Sequence, residues 1–170
     1  MPTNTYTPLA TLTLTGTDTE IQFSNIPSIY RDLILITNSR TNRSAADEPI
    51  RLRFNGDSTT GNYFRVTLSG NGSSASAYYD SPGEIIIDSA ATAASSGSGH
   101  FAILNVDILD YAQTNKHKTV LTTSGISSIE VRRQAGRWAS TTAITSLTLT
   151  PYFGGSFVSG STFSLYGIVS

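Results

Sequence analysis

The chain has 170 residues, a formal net charge of -1 and no cysteine, and only 14% of its residues are charged, against about a quarter in an average globular protein. Disulfides and thiolate metal sites are therefore excluded, and no basic excess exists to neutralise a nucleic-acid backbone. No apolar run approaches the roughly 18 residues of a membrane-spanning helix, so no membrane contact of that kind is expected. One domain is expected, large enough to bury roughly 70% of its extended surface without staples.

The absence of cysteine agrees with assembly in a reducing cytoplasm. The first residues lack the charged and apolar regions of a signal peptide, so none is expected. Ser and Thr number 24 each, with 14 Gly. Threonine suits half-buried strands, and Ser with Gly suits turns. A surface of hydroxyls in place of charges is common in robust virion and extracellular β-proteins.

Taken in order, residues 1–8 carry two prolines and no periodicity. They read as an extended arm, either a frayed terminus or a strap whose Tyr6 and Pro8 lie on a neighbouring subunit. Residues 9–170 read as one domain. Leu9–Thr15 alternates apolar and Thr, Glu20–Phe23 is a short strand, and Ile26–Tyr30 is a turn that tucks Ile26 and Tyr30 inward. Asp32–Asn38 is a continuous apolar run, which predicts a central strand covered on both faces. Ser39–Pro49 is the most polar segment and reads as a loop. Ile50–Asn55 and Asn62–Leu68 alternate on either side of the Asn55-Gly56-Asp57 turn. Gly70–Ser76 is Gly/Ser-rich, Glu84–Asp88 is a short apolar strand, and Ala90–Gly99 is low-complexity Ala/Ser/Gly, read as a flexible connection.

From Gly99 to Ala139 the chain runs out along His100–Leu109, with Asn105 as a candidate bulge. It turns through a polar cluster at Asp110–Lys118, returns over Lys118–Thr123, and continues through Ile129–Arg133 to Trp138, the only tryptophan. Ala143–Tyr152 and Thr162–Val169 complete the set. No window shows helical periodicity. About ten strands at 8–15-residue spacing predict an all-β, antiparallel sandwich resembling a jelly roll, with no substantial helix.

The side chains that carry chemistry are sparse. A Ser-His-Asp triad would have to use His100 or His117, and no Gly-x-Ser-x-Gly turn exists. Carboxylate pairs for glycoside hydrolysis are Asp107 with Asp110, or Asp57 with Asp88, all at strand ends or turns where Asp is ordinary. Asp47-Glu48 and Asn55-Gly56-Asp57 offer oxygen ligands without calcium-loop spacing. Trp138, Tyr63, Tyr78, Tyr79 and Tyr111 are candidate stacking platforms for sugar. Arg137 is placed to stack on a ring or to pair with Asp110. Both lysines of the chain, Lys116 and Lys118, gather with His117, Asp110 and Tyr111 in one turn. That cluster either fixes the hairpin or meets acidic groups on a partner. No catalytic residue, metal or cofactor is expected.

Several segments together resemble a family of short virion proteins of tailed bacteriophages, of the capsid decoration or cement type. They are Tyr6–Ala10, Ile26-Pro27, Tyr30–Leu33, Leu52–Asp57, Asn62-Tyr63, Asp110–Ala112, Lys116–Thr119, Gly136–Trp138, Ile144–Ser146 and Gly160–Ile168. The resemblance implies a jelly-roll-like sandwich and a non-enzymatic structural role. It implies a homotrimer bound to the major capsid protein on the outer capsid surface, assembled in the host bacterial cytoplasm, with no nucleic-acid or membrane partner. Similar modules in tail or fibre positions give the alternative, an adhesin that binds host glycan. Ser39–Pro49 and Tyr78–Ser98 match no pattern of that family and are the expected places for partner-specific contacts.

Overall fold

The computed structural model describes residues 5–81, 84–127 and 129–169. Among them it shows strands and no helix. In chain order these are β1 (Tyr6–Thr13), β2 (Ile21–Phe23), β3 (Asp32–Ser39), β4 (Asp47–Phe54), β5 (Tyr63–Gly70), β6 (Ala75–Asp80), β7 (Ile85–Thr92), β8 (Ala102–Leu109), β9 (Lys118–Ile126), β10 (Glu130–Trp138), β11 (Leu147–Pro151) and β12 (Thr162–Ile168). Eight pair in the order β1-β12-β3-β8-β9-β10-β5-β6 and four in the order β2-β11-β4-β7. The ladders are antiparallel, and the two sheets pack face to face as a sandwich.

The connectivity is jelly-roll-like. Along the chain β1, β2, β3 and β4 alternate between the sheets, and so do β7, β8, β11 and β12. Those strands alone give β1-β12-β3-β8 facing β2-β11-β4-β7, the double Greek key of a jelly roll. Two hairpins are added, β5–β6 between the halves and β9–β10 within the second half, between β8 and β11. They join each other through β10 and β5, which widens the first sheet and leaves the second narrow.

Alternation decides which face is buried. On β8, Ala102, Leu104, Val106 and Ile108 are buried while Ile103 and Leu109 are exposed. The core joins Leu33 and Leu35 of β3, Leu52 and Phe54 of β4, Leu149 of β11 and Phe163 and Leu165 of β12. Each large apolar side chain contributes about 1.5–3 kcal/mol on burial. Strand β7 packs across the inner faces of β8, β9 and β10. Toward the added hairpins the inner face turns polar, with Thr67, Thr122, Ser124 and Gln134 all buried. There the Thr67 hydroxyl donates to Gln134 Oε1 at 3.3 Å, and buried Arg65 pairs with Asp80 at 2.5 Å. Burying such groups requires partners of this kind.

The sandwich expected from the sequence is present, with more strands than expected. β6 forms across the end of the Gly/Ser-rich stretch Gly70–Ser76, where no strand was expected, because Tyr78 and Tyr79 suit a pleated edge despite the glycines before them. β4 begins at Asp47, inside the expected loop Ser39–Pro49. The apolar run of β3 is central but covered on one face only: Ile36 is 40% exposed on the other. Asn105 is no bulge, since both of its ladders run without a break. The register shifts lie instead between Pro8 and Ala10 and between Glu48 and Ile50. The low-complexity segment is not a free connection. Ala90, Ala91 and Ala93 are fully buried, and small side chains there let the backbone approach its neighbours. Of the expected arm, residues 1–4 lie outside the described residues. From Tyr6 onward it is strand, with Tyr6 opposite Ile168 and Pro8 opposite Tyr166 on the same chain.

At Gly167 a Cβ would fall on the ring carbons of Tyr30. We expect Gly167→Ala to cost about 1–3 kcal/mol through overpacking, read as a drop of several degrees in thermal unfolding. The double variant with Tyr30→Ala should recover part of that loss, and strictly additive losses would contradict the contact.

Candidate functional site

The polar turn between β8 and β9 brings together most of the residues singled out from sequence. Asp110 leaves β8 with a φ of 52°, a left-handed conformation that Asp tolerates better than most side chains. Its amide donates to Asp32 Oδ1 at 2.8 Å, and Asp32 Oδ2 accepts from Arg31 Nε at 2.6 Å. Its own carboxylate accepts from Lys116 Nζ at 2.6 Å across the turn. Tyr111 is fully buried. Its hydroxyl donates to the Pro27 carbonyl and accepts from the Tyr30 amide at 3.4 Å. Burial pushes the Tyr111 phenol above the ordinary tyrosine range.

Lys118 is the least expected member, because its side chain is fully buried. Its ammonium donates to three backbone carbonyls: Gln113 at 2.5 Å, Lys116 at 3.2 Å and Thr141 at 3.1 Å. A lysine ammonium has three N–H donors, so this one is saturated. Burial holds it below the ordinary lysine range, nearby Lys116 pushes the same way, and Asp110 opposes them. An ammonium tied to three carbonyls is a structural clamp and not a base awaiting a substrate.

Trp138 lies directly across the β9–β10 ladder from Lys118 and is only 3% exposed. Its ring packs 5.6 Å from Phe54 and 6.4 Å from Tyr63, centroid to centroid. Its indole N–H donates to Asp57 Oδ2 at 2.6 Å. Asp57 also accepts from the Thr59 amide at 2.9 Å and from Asn62 Nδ2 at 2.9 Å. Partial burial works to raise the Asp57 pKa, but the donated hydrogen bonds outweigh it and bring the carboxyl down to about 2. Tyr63 Oη bridges the same turn, donating to the Asp57 carbonyl at 3.1 Å and accepting from the Phe54 amide at 3.1 Å. Its burial raises the phenol far above the ordinary range. Asn55, at φ 52°, ties this turn to the segment before β11 by accepting from the Thr145 and Ser146 amides.

Asp110, Tyr111, Lys116, Lys118 and Trp138 thus form one end of the sandwich, where Tyr111 and Lys118 hold backbone carbonyls and Lys116 and Trp138 hold carboxylates. His117 lies in the same turn with its side chain exposed. Arg137 points the other way. It stacks over Phe64 at 4.3 Å and makes no pair with Asp110, because neighbouring residues of a strand face opposite sides. Three of the five candidate sugar platforms, Tyr63, Tyr111 and Trp138, are buried and removed from that role. Tyr79 stays exposed, and Tyr78 lies beneath Arg65 and Arg132. Of the carboxylates, Asp107 accepts from Asn105, Asp57 is capped as described, and the side chain of Asp88 lies outside the described residues.

Sequence reasoning missed a second polar centre at the opposite end of β3. The Arg40 guanidinium donates to the carbonyls of Ala94, Ser96, Gly97 and His100. The segment 42–46 adds the backbone bonds Ala93 N to Ala46 O, Ala94 N to Arg43 O and Ser95 N to Ala45 O. Buried Glu48 accepts from the Phe153 amide at 2.6 Å and lies 3.6 Å from Arg43. Desolvation raises its pKa against both influences. Arg43 in turn stacks on the exposed ring of Phe153. The signal for this centre was the low-complexity stretch itself, whose free carbonyls need a multidentate donor.

Comparison with family models, with curated proteins and with solved structures finds no match.

Because the Asp57 carboxyl titrates lower in the folded chain than its usual 3.8, its charge stabilises the fold above that value. The contribution is lost as pH falls from 3.8 toward 2. Asp57→Asn should therefore be less stable than wild type at pH 6, by on the order of 1 kcal/mol after solvent screening. Thermal unfolding should show the gap closing by pH 2, and a gap independent of pH would contradict the clamp. His117→Ala should change stability by less than about 0.5 kcal/mol, because its side chain is exposed.

Proposed function

We propose that this chain is a non-enzymatic structural protein of a bacteriophage virion, a decoration protein that binds the outer capsid surface and stabilises the shell. The observation that carries this reading is the place of the two segments that stand outside the family resemblance. Part of Ser39–Pro49 and part of Tyr78–Ser98 converge at one end of the sandwich and are bound to each other through Arg40. The segments that do carry the resemblance supply the framework at the other end, through Asp57, Tyr111, Lys118 and Trp138. A rigid jelly-roll-like body with one distinct loop end suits a clamp that docks on a larger assembly.

On this reading, the loop end around Arg40 and Phe153 meets the major capsid protein. Phe153 is 59% exposed there, a large apolar group fit to be covered at an interface core. Repeated copies on a closed shell would add many weak contacts into strong retention. The adhesin alternative loses its main platform with the burial of Trp138.

Purified protein added to capsids assembled without it should bind them and raise their temperature of heat disruption. Phe153→Ser should weaken that binding at least about tenfold, since loss of a buried interface aromatic costs above 1.4 kcal/mol, without changing the protein's own unfolding temperature by more than a few degrees. No binding, together with unchanged capsid heat resistance, would refute the proposal.

A further inference from the structure

The outer face of the eight-stranded sheet is the largest feature that the candidate site does not use. Several of its side chains mirror one another about β9, although others do not, as where Gly70 stands opposite Asn38. In the row through Gly125, Val131 on β10 and Ile103 on β8 stand on either side, 62% and 58% exposed. In the row through Thr123, Leu68 on β5 and Ile36 on β3 stand two strands out on either side. In the row through Leu121, Val66 matches Ile34 two strands out and Tyr79 matches Tyr166 three strands out. Aliphatic thus mirrors aliphatic, and tyrosine mirrors tyrosine.

The charges follow a complementary rule. Arg133 and Arg137 lie on β10, one row to either side of Ala135, and the mirror of Ala135 across β9 is Asp107. Among the described residues, none of these three charged side chains takes part in an ion pair. Around Asp107 the face is hollow, with Ile34, Leu109, Tyr6 and the Arg31–Asp32 pair among its other walls.

We propose that this face is the interface of a twofold dimer of the chain, with the symmetry axis along β9. A half-turn about that axis lays β10 of one copy over β8 of the other, β5 over β3 and β6 over β12. Leu121 then meets Leu121 at the centre. Val66 and Leu68 cover Ile34 and Ile36 of the second copy, and Tyr79 covers Tyr166. Asp107 falls between Arg133 and Arg137 of the second copy, twice over, as an isologous contact requires. Face-to-face sheet packing of this kind is the ordinary geometry of sandwiches. Six strand spacings of about 4.8 Å by four side-chain rows about 7 Å apart give a footprint on the order of 600–800 Å² per copy, near the roughly 800 Å² per partner of a standard interface. The face mixes polar and charged side chains with Val66, Leu68, Tyr79, Ile103 and Val131, all largely exposed on one chain, and a second copy would cover these apolar groups. The pairing stands independently of the capsid role, and it is twofold where the family resemblance implies three.

The test is the mass of the full chain in solution, measured by sedimentation equilibrium at micromolar concentration and moderate salt. Wild type should run at twice the 18.1 kDa of one chain. Asp107→Arg alone, and Arg133→Asp with Arg137→Asp, should each weaken self-association at least about tenfold, because like charges then face each other. Mixed together, the two variants should recover the dimer mass, since every facing pair is again opposite in sign. Leu121→Arg, which sets two cations together on the axis, should be monomeric with an unchanged circular dichroism spectrum. A monomeric or trimeric wild type would overturn the proposal, as would charge variants that assemble like wild type or fail to pair when mixed.

Discussion

A fully buried ammonium imposes the strictest condition on this fold. Lys118 has no exposed surface, and an ion in that position is tolerated only when every donor is engaged. The chain meets the condition by wrapping the turn after β8 and the segment after β10 around one nitrogen, so that Gln113, Lys116 and Thr141 present their carbonyls to it. Trp138, opposite Lys118 in the ladder, extends the same requirement to Asp57 and the turn after β4. Three connections that are distant in sequence are thereby fixed at one end of the sandwich. The other end is fixed by a second cation, Arg40, through four carbonyls of the segment after β7. In both places a long cationic side chain does the work of secondary structure where the backbone is irregular.

This division of labour explains why a chain with few charges holds so many of them inside or half inside. Arg65 pairs with Asp80 beneath the added hairpins, Glu48 accepts from Phe153, and Arg51 and Arg53 converge on Glu84. The outer surface is left mostly to Thr, Ser and aliphatic side chains, with a few charges such as Arg133, Arg137 and Lys116 among them. Such a surface has little long-range field to steer small charged ligands and much area to pack against another protein. The capsid role and the twofold pairing proposed above use different parts of that surface, the loop end and the sheet face.

The sandwich was legible from the sequence because period-two alternation survives in most strands. Strand β8 was legible as a strand but not in its faces: Phe101, Ile103, Val106 and Ile108 read as mixed between them with a bulge at Asn105, whereas the strand runs unbroken with Leu104, Val106 and Ile108 inward and Ile103 and Leu109 outward. Strand β6 was not legible, because Gly70–Ser76 reads as a turn and only tertiary pairing with β5 makes it a strand. The coverage of β3 was misjudged for a physical reason: continuous apolar sequence marks a buried strand only if something packs on each face, and here the second face is bare within one chain. The polar turn was recognised as a cluster, but its sense was open. Nothing local distinguishes a lysine that reaches outward from one that folds back onto its own turn. Trp138 beside Arg137 read as a strand-end pair, whereas the pleat sends one into the core and the other to the surface. Arg40 escaped notice because its partners are backbone carbonyls some 54 to 60 residues away, which no side-chain motif records.

The most direct test of the clamp is residue-resolved hydrogen exchange on Lys118→Met, whose side chain fills the same space without the charge. The Gln113 amide bonds to Asp110 and the Ile144 amide to Tyr111 only while the surrounding turns are held. Both amides should lose protection in the variant, while those of Leu35 and Val106 in the central ladder keep theirs. Unchanged protection at Gln113 and Ile144 would show that the ammonium does not hold this end of the fold.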